Sequence, residues 1–218
     1  MAKTYLNEEN MRDIIWGATL MGGGGGGSIS SGMMLLESYK KDHPGKTLSV
    51  EMIDASDMPD GTYAAATAGM GAPAAIAGVD FSQWAANAFA VLQDFAARDG
   101  KKLGYNYPVE LGGFSTFFPL LLSLKTGLPT IDCDGAGRAV PALETLLLNV
   151  NDCPTSPLGL ANGTNDKITI ETKIRWMHLL RKKLGATSVR LSAIWSVFPV
   201  GSLTRTISKT EFARILSL

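Results

Sequence analysis

The sequence predicts an α/β protein built on a mainly parallel sheet flanked by helices, with βαβα alternation. Two observations lead there. Short runs rich in β-branched and apolar residues (47–54, 62–68, 103–109 and 128–131) are interleaved with segments of helical period (81–98 and 115–125), and parallel neighbours require such crossover connections. The chain also has 218 residues, 45% of them hydrophobic and 18% charged, enough to bury a full core.

The elements follow in order. Met11, Ile14, Ile15 and Ala18 recur at helical spacing, with Asn7 as N-cap, so a helix is expected over 8–20. It stops at six consecutive glycines, Gly22 to Gly27. Ser28 then leads into a second helix with Ile29, Met33, Leu36 and Tyr39 on one face. The strand 47–54 ends near Asp54, at the turn-rich stretch 56–61, and a second strand is expected over 62–68. Asp80 is placed to cap a helix to Arg98, with Gln83 at the reciprocal capping position and Gly100 as terminator. Its buried stripe is expected to be Trp84, Ala88, Val91, Leu92 and Phe95. A strand over 103–109, a helix over 115–125 and a short buried strand over 128–131 come next, the last delivering Asp132, Cys133, Asp134 and Gly135 to its carboxyl end. Ile174, Met177, Leu180 and Leu184 mark a further helix, with Glu171 early, a basic cluster late and Gly185 as stop; 189–198 is strand-like. A soft boundary is expected within 149–165, where Pro, Gly, Asn and Asp accumulate.

Charge and composition exclude several classes. Twenty Lys plus Arg balance twenty Asp plus Glu, so the positive field of a nucleic-acid binder is missing and no such partner is expected. No window reaches the roughly 18 apolar residues of a membrane span, and the amino terminus runs into charge rather than a signal segment. Cys133 and Cys153 are too few for a disulfide scaffold. A soluble protein of the cytoplasm, with a small-molecule substrate and the option of a homo-oligomer, is expected.

The candidate site residues gather around the glycines and the acidic turn. Gly22, Gly24 and Gly27 satisfy the spacing of a dinucleotide fingerprint, but a helix precedes them where that motif needs a strand, so NAD is not expected. Gly24, Gly25, Gly26 and Gly27 instead read either as exposed backbone N–H groups ahead of a helix, a cradle for a carboxylate or ring carbonyl, or as a loop permitting close helix packing. Asp132 and Asp134 would project to one side of a strand end, with Cys133 on the other. There they could bind a divalent metal or divide into acid and base. The competing role is an Asp-Gly turn capped by Asp134. Arg138 suits a substrate carboxylate or an ion pair with these aspartates. Glu110 closes a strand before two glycines, as a ligand contact or a turn cap. Acidic neighbours should blunt Cys133 as a nucleophile, and neither His43 nor His178 has a partner at catalytic or metal-ligand spacing.

Four segments taken together carry a resemblance: Met21 through Gly27 after a helix, Gly69-Met70-Gly71-Ala72-Pro73 after a strand, Pro108-Val109-Glu110-Leu111-Gly112-Gly113, and Gly127 through Pro141 with Ile131-Asp132-Cys133-Asp134-Gly135-Ala136-Gly137-Arg138 at its centre. Over roughly residues 8–215 the chain resembles the S-methyl thiohydantoin desulfurase family in its N-terminal domain. The resemblance implies hydrolytic removal of a sulfur substituent from a thiohydantoin ring. Asp132, Asp134 and Glu110 would then be base, acid or metal ligand, and Gly24, Gly25, Gly26, Gly27, Gly71 and Arg138 would hold substrate. Two positions depart from the family pattern: Ala77-Gly78 stand where an acidic-basic pair is usual, and Ala142 where a Glu follows the proline. The family's C-terminal domain is expected to be absent from a chain ending at Leu218. A non-catalytic binding or assembly module of a larger enzyme is the alternative.

Overall fold

The computed structural model describes residues 4–59, 61–70, 80–141, 145–150, 156–171 and 191–199. In chain order these form β1 (Thr4–Leu6), α1 (Glu8–Met21), α2 (Ile29–Asp42), β2 (Val50–Asp54), β3 (Tyr63–Met70), α3 (Phe81–Arg98), β4 (Leu103–Pro108), α4 (Gly113–Thr126), β5 (Thr130–Asp132), α5 (Leu147–Val150), β6 (Leu158–Ala161), β7 (Lys167–Ile170) and β8 (Leu191–Pro199). One eight-stranded sheet has the order β1-β2-β5-β4-β3-β8-β6-β7. Its centre is parallel, β2 with β5, β5 with β4 and β4 with β3. The added strands are antiparallel: β1 on β2 at one edge, and β8, β6 and β7 beyond β3 at the other. The α/β fold with a parallel sheet flanked by helices is therefore the one found.

Local chemistry accounts for the element ends. Asn7 and Asn10 cap α1 reciprocally, and the Ser28 hydroxyl accepts from the Ser31 N–H at the start of α2. Asp80 caps α3 by accepting from the Gln83 N–H and the Ser82 hydroxyl. The expected reciprocal bond is not made. Gln83 donates to Asn87 instead, 2.8 Å away and one turn ahead, where helical geometry brings side chains together.

The strands divide the core into two layers. On one face α1–α4 enclose Met11, Ile15, Leu36, Leu92, Phe117 and Leu122. On the other, residues 55–58 and 146–148 lie against Ala64, Ala66, Tyr107, Ile131, Leu158 and Leu160. The stripe of α3 differs from the expected one. Phe81, Ala85, Ala88, Val91, Leu92 and Ala96 are buried, whereas Trp84 and Phe95 are half-buried at its flanks. The small face wins because α3 lies directly on β6: a side chain at Gly159 would sit 3.1 Å from the Leu92 nitrogen and 3.2 Å from the Ala88 oxygen. A close approach of helix to strand needs alanines rather than rings at the contact.

Buried polar groups tie α4 across the parallel centre. The Asn106 amide of β4 donates to the Ser123 hydroxyl of α4 at 2.9 Å, and Ser123 shares a 2.7 Å hydrogen bond with Thr130 of β5. All three are almost fully buried, so this chain of bonds fixes where β5 delivers the residues that follow it. The helix expected after Glu171 lies outside the described residues, while 191–199 forms β8, paired antiparallel with β3. No helix among the described residues is long and apolar enough to cross a membrane.

Candidate functional site

The loops after β2, β4 and β5 gather at the carboxyl end of the parallel strands, where open α/β sheets bind ligands. The hub is the turn from β4 into α4. Glycine is obligatory there: a side chain on Gly26 would lie 2.2 Å from the Leu111 oxygen, at a φ of +67°, and one on Gly112 would lie 2.2 Å from the Gly26 oxygen. The carbonyl of Gly26 accepts from the Phe114 and Ser115 N–H groups at 3.2 and 2.9 Å, and that of Gly27 accepts from Gly113 at 3.0 Å. The glycine loop thereby satisfies the first amides of α4, which would otherwise lack partners. Gly23 and Gly24 face open space. The N–H groups of Gly24, Gly26 and Gly27 have no partner among the described residues. Both readings of the run thus have a place: Gly22, Gly25, Gly26 and Gly27 serve close packing through their missing side chains, while loop N–H groups stay available.

The second loop, 133–141, is stitched to the same hub. Gly135 donates to the Pro108 carbonyl at 3.1 Å and Leu111 to the Arg138 carbonyl at 3.4 Å. A side chain on Gly25 would meet Ala139 at 2.6 Å, so the glycine run and the 132–138 segment are neighbours. Glu110, half-buried, accepts from the Ser115 hydroxyl with Oε1 and from the Val140 N–H with Oε2, both at 2.9 Å. Asp134 is 4% exposed, and its Oδ1 accepts from Ala136 and Gly137 N–H groups at 2.8 and 2.5 Å. Asp134 is therefore the cap of the turn, and burial, opposed by those two bonds, pushes its carboxyl above the usual range.

Asp132 and Asp134 do not act on each other as the sequence suggested. Strand β5 ends at Asp132, so the alternation that would have aligned the two stops before Asp134. Asp132 stands instead beside Asp54, its register partner at the end of β2. Both are exposed. Partial burial and then the Asp54 charge raise the Asp132 carboxyl above its ordinary value, while the Ser56 hydroxyl and N–H hold Asp54 below its own. Sequence reading missed Asp54 as a site residue. The signal was there in parallel: Val50-Glu51-Met52-Ile53-Asp54 and Leu128-Pro129-Thr130-Ile131-Asp132 are both apolar strands ending in Ile-Asp.

Arg138 is exposed and makes no ion pair among the described residues, so its guanidinium is available. Burial and three neighbouring carboxylates push the Cys133 thiol well up, which suits an inert thiol. His43 stacks on Tyr39 and bonds its backbone carbonyl. Gly71 and His178 lie outside the described residues, as do Ala77, Gly78 and Ala142. Among the described residues no group of three His, Cys, Asp or Glu is placed to hold a metal ion.

The family described as S-Me-THD-like, N-terminal domain, matches residues 9–172. The chain belongs to this family. The match spans the glycine loop, the β4–α4 hub and the acidic turn, the segments that build the site. Among solved structures, the fold is similar to that of a Chromobacterium violaceum protein determined by X-ray crystallography, with a TM-score of 0.78 and 25% identity over 99% of this chain and 58% of that one. The chain thus spans little more than half the length of that relative. No curated protein matches the sequence.

Proposed function

We propose that this S-Me-THD-like domain provides the site of a hydrolase that removes the sulfur substituent of an S-methylated thiohydantoin. The observation that carries the reading is the register pair Asp54 and Asp132 on adjacent parallel strands, exposed at the carboxyl end of the sheet and pushed apart in pKa. Two carboxylates of opposite tendency are what a hydrolysis needs as base and acid. Asp54 takes a proton from water as its oxygen adds to the ring carbon bearing sulfur. The carbon–sulfur bond then breaks as Asp132 protonates the departing thiolate, Asp54 returns its proton to the ring nitrogen, and the proton of the added hydroxyl passes to Asp132, restoring the acid. Water's oxygen remains as the new ring carbonyl, and the products are a hydantoin and methanethiol. Glycine-loop N–H groups suit a ring carbonyl and Arg138 a substrate carboxylate. Asp134, buried and accepting two backbone N–H groups, and Glu110, accepting from the Ser115 hydroxyl and the Val140 N–H, hold the loop.

The test is incubation of the purified chain with S-methylated thiohydantoins in ¹⁸O-labelled water. Thiol release with one ¹⁸O in the hydantoin is expected. A chain that binds hydantoin calorimetrically without releasing thiol would favour the alternative, a binding or assembly module of a larger enzyme. That alternative draws on the 58% coverage of the solved relative. Neither binding nor release would refute both.

A further inference from the structure

We infer that Glu110 is a positioning clasp: its carboxylate spans the first turn of α4 and the loop carrying Arg138, and so sets the guanidinium and the glycine loop as one rim. The inference rests on the proposed use of Arg138 for its functional consequence, but its structural content stands apart.

The geometry is specific. One carboxylate oxygen takes the Ser115 hydroxyl and the other the Val140 N–H, each at 2.9 Å. Ser115 is itself fixed, its own N–H donating to the Gly26 carbonyl at 2.9 Å, and it is 9% exposed. Val140 lies two residues beyond Arg138, whose carbonyl is held by the Leu111 N–H. From glycine loop through Ser115 and Glu110 to Val140, each link is a hydrogen bond, and Glu110 is the link that crosses between loops. Each Glu110 oxygen accepts one of these bonds, so the hub sets the orientation of the carboxylate.

This distinguishes glutamine from leucine at the position. In Glu110→Gln the amide oxygen can accept from Val140, and the amide nitrogen can donate to the Ser115 oxygen, which accepts as readily as it donates. Charge is lost and the clasp is kept. In Glu110→Leu both bonds are lost. The first measurement is amide hydrogen exchange of the whole chain. Exchange at Val140 should quicken at least about five-fold in Glu110→Leu, the worth of one hydrogen bond, and return to within about two-fold of wild type in Glu110→Gln. Ser115→Ala, which removes a single arm, should fall between them, and it decides the matter if Glu110→Leu fails to fold. The second measurement is steady-state turnover of the S-methylated thiohydantoin. Glu110→Leu should raise KM about ten-fold with little change in kcat, and should add nothing further in an Arg138→Leu background, since coupled residues are not additive. Glu110→Gln should track wild type.

Unchanged Val140 exchange in Glu110→Leu, or exchange in Glu110→Gln as fast as in Glu110→Leu, overturns the clasp. Loss of kcat in Glu110→Gln with Val140 protection intact would make Glu110 a reacting group and also overturn it. A chain without turnover refutes the proposed hydrolysis and leaves the exchange result to decide the clasp alone.

Discussion

Replacing Asp134 separates a turn cap from a reacting carboxylate. The side chain is 4% exposed and accepts two backbone N–H groups at 2.8 and 2.5 Å. Asp134→Ala leaves both donors in a half-buried turn without their acceptor, and hydrogen bonds to charged groups contribute about 1.5–3 kcal/mol each, less whatever water recovers. A net loss of about 3 kcal/mol is expected, roughly 6–12 °C in Tm for a chain of this size. Asp134→Asn keeps the accepting oxygen and removes only the charge, so it should lie within about 1 kcal/mol of wild type. The sign of the pH dependence follows from the raised carboxyl. Below the ordinary carboxylate value both folded and unfolded chains hold the proton, and burial costs nothing. As pH rises from there through the folded value, the unfolded chain ionises first and wild-type stability falls, then levels off. Asp134→Asn lacks that fall, so its stability relative to wild type should grow across the window. Urea unfolding at a series of pH values reads both effects. An alanine variant as stable as wild type, or an asparagine variant as unstable as alanine, would refute the capping role.

Other substitutions test the rest of the site. Gly26→Ala puts a methyl 2.2 Å from the Leu111 oxygen at a φ of +67° and should cost well over 2 kcal/mol, whereas Gly23→Ala, in open space at a φ of +61°, should cost only the ~1–2 kcal/mol of left-handed backbone; thermal unfolding compares them. Ser123→Ala leaves the buried Asn106 amide only its 3.3 Å bond to the Pro129 carbonyl and takes the Ser123 partner from the Thr130 hydroxyl, and urea unfolding should register a loss of about 1–3 kcal/mol. Asp132→Asn and Asp54→Asn should each lower thiol release at least about ten-fold, or ~1.4 kcal/mol of transition-state stabilisation; at pH above the carboxylate range Tm should rise for Asp132→Asn, less so at high salt, and fall slightly for Asp54→Asn, which loses the charge that the Ser56 donors favour. Full turnover in both variants would end their assignment as acid and base.

Local signals were enough for α1–α4, for the parallel strands and for the family, but not for β1, α5, β6 or β7. Caps at Asn7 and Asp80 and stops at the glycines mark helix ends through backbone donors and acceptors a few residues away, and the structure places them there. The acidic turn after 128–131, and Glu110 before two glycines, pointed to the carboxyl end of a parallel sheet as the place to look. What the tertiary structure alone decided is which groups meet. Asp132 pairs with Asp54, 78 positions away in chain order, because β5 inserts beside β2. Glu110 ties the β4–α4 turn to the 133–141 loop because Val140 arrives 30 residues later. The stripe of α3 shifts from rings to alanines because β6, not visible in the helix's own periodicity, demands close approach. Periodicity and capping act over a few residues and can be read along the chain; charge pairing and close packing act through space, and depend on strand order that no local pattern encodes.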